Sequence, residues 1–175
     1  MQTIIMKTGL RVGFTIIFSC TLFFACTHKI TCSDTNIYLA YKAFSQQDLD
    51  TIIMRRYVKG SNFAQLKDTA LFNTLNYQAI TASDTIQFAL PAGMQISPDS
   101  INLTLLTPDY DYGIYIPALN RLIQISKIIE EKTEGNAGGV FAQDPQPCYN
   151  PIQSYIYNGQ TISGGTDLYN LIITK

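Results

Sequence analysis

Chemistry in this chain starts with its four sulfhydryl side chains, Cys20, Cys26, Cys32 and Cys148. A thiol can accept a lipid, join a second thiol or bind a metal, and spacing selects among the three. Phe23-Phe24-Ala25-Cys26 has the form of a lipobox: apolar positions, a small residue, then a cysteine. Such a cysteine is linked by thioether to a diacylglycerol and becomes the first residue after cleavage. The spacing matters because the peptidase works at the membrane surface, where the thiol must emerge beside the lipid donor. Ile17-Phe18-Ser19-Cys20 is a second candidate. Cleavage there would leave Leu22, Phe23 and Phe24 directly behind the new terminus, where a polar tether is expected, so Cys26 is favoured. The plain alternative is an uncleaved anchor helix with incidental cysteines.

With Cys20 removed and Cys26 acylated, Cys32 and Cys148 remain. Two leftover thiols outside the cytosol favour a disulfide, which by the loop-entropy argument stabilises by up to about 4–5 kcal/mol for a loop of this length. It would staple the tether to the segment before the last strands. Two unpaired buried thiols are the competing reading. Metal binding is not expected: there is no CxxC, and His28 is the single histidine. No cofactor is implied.

The acidic residues offer one metal-like spacing, Asp109-Tyr110-Asp111-Tyr112-Gly113. Calcium loops need a third oxygen ligand at the next alternate position and a glutamate at the twelfth, and Gly113 and Asn120 stand there instead. An Asp-capped turn is the simpler reading. Glu130, Glu131 and Glu134 resemble an acid/base set, but adjacent strand residues point to opposite faces, so a solvated charge run is expected. A serine nucleophile needs a base, and His28 lies in the tether. No catalytic residue is therefore assigned. Tyr110, Tyr112, Tyr115, Tyr149, Tyr155 and Tyr157 could stack on sugar rings, although strand tyrosines more often pack with their hydroxyls at the rim, and the chain has no Trp. Arg55-Arg56 reads as one exposed and one partly paired side chain.

These residues must be held by three segments. Residues 1–25 read as a signal peptide: Lys7 and Arg11 supply the positive start, and Val12 to Ala25 is almost wholly apolar or small. That run is shorter than the ~20 residues of a spanning helix but fits a signal-peptide core. Residues 26–35 form a lipidated cysteine and polar tether. Residues 36–175 form one domain of short β-branched and aromatic runs separated by turn residues. Strands are predicted near Ile37–Lys42, Asp48–Val58, Asp84–Leu90, Ser100–Leu106, Tyr112–Ile116, Tyr155–Tyr157 and Asp167–Thr174. The last of these is apolar on both faces, as a central buried strand would be. Phe63–Phe72 is strand or helical turn. Arg121–Lys132 fits either period, and four isoleucines without alanine tip it to strand. Glu134–Pro151 is mostly loop. The expected fold is all-β, an antiparallel β-sandwich, immunoglobulin-like or similar.

Composition narrows partners. Net charge is −1, and losing Lys7 and Arg11 would make it more acidic, so nucleic-acid binding, which requires a basic patch, is not expected. Only 14% of residues are charged, against about 25% in typical domains, while neutral polar residues are plentiful. Such a surface suits an exported β-protein.

The Phe23-Phe24-Ala25-Cys26 leader, Thr31-Cys32-Ser33-Asp34-Thr35, the run Asp48–Phe63 with Lys67-Asp68-Thr69, and Cys148 followed by Tyr155-Ile156-Tyr157-Asn158-Gly159 together resemble small lipoproteins of Bacteroidetes. The resemblance covers most of the chain as a pattern and carries over no catalytic or binding residue. It implies a lipid-anchored, β-rich domain facing the cell envelope, in the outer membrane or periplasm. Thr27-His28-Lys29-Ile30 replaces the acidic patch that often follows the lipidated cysteine of surface-exported members, which favours the periplasmic side. The expected role is a non-enzymatic binding or assembly module whose partner is another envelope protein or a glycan. The alternative is a carboxylate-based envelope hydrolase using Asp109 or Asp111.

Overall fold

Alternating apolar residues and short polar turns make strand the main structure among the described residues. A computed structural model describes residues 29–90, 93, 100–136, 148–164 and 166–175. The leader, Cys20, Cys26 and His28 lie outside the described residues. The strands are β1 Lys29–Thr31, β2 Ile37–Lys42, β3 Thr51–Val58, β4 Leu66–Asn73, β5 Gln78–Ala82, β6 Thr85–Ala89 and β7 Leu105–Leu106. They continue with β8 Tyr110–Ile116, β9 Arg121–Glu130, β10 Glu134–Asn136, β11 Ile152–Tyr157, β12 Gln160–Ser163 and β13 Asn170–Thr174. The contacts divide the chain into two units.

In the larger unit the order β12-β11-β9-β8-β3-β4 makes a six-stranded antiparallel sheet. A second sheet runs β13-β2-β6-β5, with β7 also paired to β2. Inward positions of both sheets share one core: Ile37, Leu39 and Tyr41 of β2 and Ile86 and Phe88 of β6 pack with Ile52 and Met54 of β3, Ile114 and Ile116 of β8, and Ile123 and Ile125 of β9. This is the sandwich expected from the period-two pattern. One pair departs from the antiparallel rule: β13 runs parallel to β2, with Leu171 beside Leu39 and Ile173 beside Tyr41.

Two predicted strands and part of the expected tether change on folding. Asp167–Thr174 is a 3₁₀ turn, Thr166–Tyr169, followed by β13, which sits at a sheet edge with Leu171 and Ile173 buried and Ile172 exposed. Ser100–Leu106 keeps only Leu105–Leu106 as strand, because the Asn102 side chain accepts hydrogen bonds from the Thr104 N–H at 2.9 Å and hydroxyl at 2.8 Å, a local turn that diverts the backbone. Lys29–Thr31, within the expected tether, is strand β1. Arg121–Glu130 is strand throughout.

Inside the sandwich, β3 ends on a buried cation. Arg56, 4% exposed, pairs through two nitrogens with the Asp68 carboxylate across the β3–β4 ladder, and its guanidinium lies 4.6 Å from the centre of the Tyr110 ring. Its neighbour Arg55 faces the opposite side of the strand, as alternation requires.

The end of β13 is tied down by charge. Lys175 Nζ donates to Asp48 Oδ2 at 2.8 Å, and Ser45 donates to the same oxygen from its backbone N–H and its hydroxyl, each at 2.7 Å. These donors, Lys175 first, hold the Asp48 carboxyl at about 2, below its ordinary 3.8. A carboxyl with a lowered folded-state value stabilises fully above its unfolded value and loses that contribution as the pH falls through the folded one. Asp48→Asn should therefore be less stable than the parent near neutral pH, with the gap closing between about pH 4 and pH 2. Urea midpoints of both proteins across that range measure it, and a gap undiminished at pH 2 refutes it.

The smaller unit, described over residues 29–32, 134–136 and 148, pairs β1 with β10 in antiparallel register, Lys29 opposite Asn136 and Thr31 opposite Glu134. A disulfide joins Cys32 to Cys148, with Cα atoms 4.8 Å apart.

Candidate functional site

The disulfide anticipated from cysteine arithmetic is formed. Gly135 makes room for it: a Cβ there would stand 2.6 Å from Cys148 Sγ, closer than real side chains approach. The carboxylates anticipated as ligands or catalysts are not brought together as a pair. Asp109 is exposed. Asp111 is 1% exposed and spends its two oxygens on backbone: Oδ2 accepts the Gly60 N–H at 2.9 Å and Oδ1 the Lys127 N–H at 3.0 Å. Glu130 bonds the Thr35 N–H and Lys132 Nζ, Glu131 accepts from Gln153, and Glu134 pairs with Lys29. Among the described residues no group of three or more His, Cys, Asp or Glu side chains is placed to hold a metal.

The tyrosines are put to separate uses, although the Tyr110 and Tyr112 rings meet edge-on with centres 6.4 Å apart. Tyr112 and Tyr155 are core residues. The Tyr112 hydroxyl meets Thr107, and the Tyr115 hydroxyl donates to Asn120 at 2.9 Å. Tyr149 is exposed in a bridge to Ser33. Tyr155 and Tyr157 line a groove with Ile162, Leu168 and Leu171.

What the sequence does not announce is a polar cleft above Asp111. It has a volume of about 380 Å³ and is lined by Asn62, Phe63, Gln124, Ser126, Lys127, Ile156 and Gly159. Three loops and bulges build it. Residues 59–65 join β3 to β4 through successive tight turns, with the Ser61 N–H bonded to Val58 O and the Ala64 N–H to Ser61 O. Lys127 is a bulge in β9, where the register with β11 slips. Asn158-Gly159 turns β11 into β12.

Every one of these pieces carries left-handed backbone: Asn62 at φ +52°, Phe63 at +61°, Lys127 at +50°, Asn158 at +47° and Gly159 at +83°. For Asn and Gly this is ordinary turn chemistry; for Phe and Lys it costs energy that the surroundings must offset. Asp111 supplies part of that by clamping Gly60 and Lys127 to one carboxylate. Asn158 is tied to β9 twice, its side-chain oxygen accepting the Gln124 N–H and its own N–H donating to Gln124 O, both at 2.8 Å. Lys59 Nζ donates to Ile128 O at 2.7 Å.

The cleft's side chains are held but not consumed. Phe63 packs edge-on against Tyr57, ring centres 5.3 Å apart, and Tyr57 lies over Gly113, where a Cβ would meet its ring at 3.3 Å. Among the described residues the side chains of Asn62, Gln124, Ser126 and Lys127 have no hydrogen-bond or ion-pair partner in the protein. The signal that could have pointed here is Asn158-Gly159; nothing in the spacing marks Phe63 or Lys127.

An apolar row also crosses the outer face of the large sheet, in direct register from Leu71 through Ile53 and Tyr115 to Leu122. Its ends are 67% and 47% exposed.

Fold and site together define a β-sandwich with a polar cleft whose backbone is held by Asp111 and Asn158. No family model, no curated protein and no solved structure matches this chain.

Proposed function

We propose that this protein is a lipid-anchored module of the cell envelope, held to the membrane by acylated Cys26 on the periplasmic side, that binds a glycan or another envelope protein without catalysing a reaction. The observation that carries the binding reading is the cleft above Asp111: its walls are fixed by bonds from Asp111 and Asn158 to backbone amides while its polar side chains remain unengaged. Of the two carboxylates of the rival hydrolase reading, Asp111 is buried with each oxygen accepting a backbone amide, and Asp109 stands exposed. A disulfide fits an oxidising compartment, and the lipobox at Cys26 supplies the tether.

The anchor is tested by growth with globomycin and by Cys26→Ala. Globomycin should cause a heavier precursor to accumulate, and the native mature protein should begin at Cys26 with fatty acid attached and sediment with membranes. The alanine variant should lose the acyl mass and leave the membrane fraction. Unchanged mass and location in both experiments would rule the anchor out. Cross-linking in intact envelopes then identifies what the domain touches.

A further inference from the structure

We propose that the Phe63–Lys127 cleft binds a sugar chain bearing carboxylate groups, that is, a uronate-type oligosaccharide. This rests on reading the domain as an envelope binding module and names the chemistry of its ligand.

Each wall contributes a different part of that recognition. Asn62 and Gln124 offer amide groups that can donate and accept at once, and Ser126 offers a hydroxyl. Vicinal sugar hydroxyls need that mixture, because each hydroxyl is itself donor and acceptor. Phe63 supplies an aromatic surface whose negative π-face suits the C–H groups of a pyranose ring, and its edge-on contact with Tyr57 fixes its tilt. Lys127 supplies the charge. It lines the cleft, is exposed and has no carboxylate partner among the described residues, so a ligand carboxylate would meet an uncommitted ammonium. Arg55 stands on the same outward face, across Gly113 from Gln124, adding positive potential to one side.

Rigidity favours a weakly hydrophobic ligand of this kind. Sugars lose much hydration on binding and leave little net gain per hydrogen bond, so a site for them must avoid further ordering costs. Asp111 holds Gly60 and Lys127, Asn158 is tied to Gln124 and Lys59 bonds Ile128 O, so the segments that carry the left-handed residues meet that demand. The volume, about 380 Å³, lies at the small end of ligand sites and suits the end of a chain or a short internal stretch. An acidic peptide would use Lys127 and the amides equally well but lacks the pyranose C–H face that the Phe63 ring suits.

The test titrates the full-length protein in detergent by calorimetry with four probes: trigalacturonate, a hyaluronan tetrasaccharide, neutral galactotriose and a glutamate tripeptide. At least one uronate sugar should bind saturably, with the neutral trisaccharide and the peptide each about tenfold weaker or worse, the range of one charge-assisted hydrogen bond. Lys127→Met should abolish the preference for acid over neutral sugar. Phe63→Leu should weaken both sugars, and Gln124→Leu, on regular strand, should do so with an unchanged melting curve. Absence of binding by both uronates, equal or tighter binding of the peptide, or affinities untouched by all three variants would overturn the proposal. The mass of the mature N-terminus reports on the anchor separately, so a failed ligand and a failed anchor are told apart.

Discussion

Cys32→Ser should lower the unfolding free energy by about 2–4 kcal/mol, and Cys148→Ser by the same amount. The bond spans 116 residues of sequence, so without it the unfolded chain recovers the freedom of a very long loop, for which the entropy argument gives an upper figure of roughly 5 kcal/mol. The folded side adds a penalty, since Cys32 is buried, at 5% exposure, and serine would place a hydroxyl there. In a domain of this size the loss appears as a fall in Tm of roughly 4–16 °C. Urea unfolding of the oxidised parent beside each variant measures it, and the double serine variant should resemble either single one because both remove the same bond. A change under about 0.5 kcal/mol would show that the crosslink restrains little in the unfolded chain.

The second large effect is expected at Asp111. Alanine there orphans the N–H groups of Gly60 and Lys127 and opens space beneath the cleft, a loss of about 2–4 kcal/mol. Asparagine should not rescue it. Asp111 uses both oxygens, one for each amide; an asparagine has one oxygen, and its NH₂ would face a second donor. Both variants should raise amide hydrogen exchange at Gly60 and Lys127 while leaving the β2–β13 ladder protected. Calorimetric melts together with exchange at those amides decide the matter, and an asparagine variant as stable as the parent would mean that one bond suffices.

Much of the frame was legible because alternation is a physical consequence of pleating. Ile86 and Phe88 face the core as their spacing requires, and the isoleucines of Arg121–Glu130 lie in a strand. Cysteine counting reached the disulfide because an expected oxidising compartment and two expected leftover thiols left few choices. The misses have local causes. Asn102 captures Thr104 and bends a run that alternates well on paper. β13 carries apolar residues on both faces yet lies at an edge, since Ile172 remains exposed. The cleft was hidden because left-handed Phe63 and Lys127 are imposed from elsewhere in the fold, by Asp111 across two strands, and Lys127 looks from sequence like one more outward strand residue.

The side-by-side run of β13 along β2 has a consequence for how the molecule is made. Its partners come from the first and last parts of the domain, so that seam cannot zip up from a local hairpin and must wait for nearly the whole polypeptide to be present. Distant pairings of this kind slow folding, and β2 keeps one flank without its neighbour until Leu171 and Ile173 arrive. A ribosome or a translocation pore handing over the chain from its N-terminus would therefore release a polymer still open along that flank, which closes last.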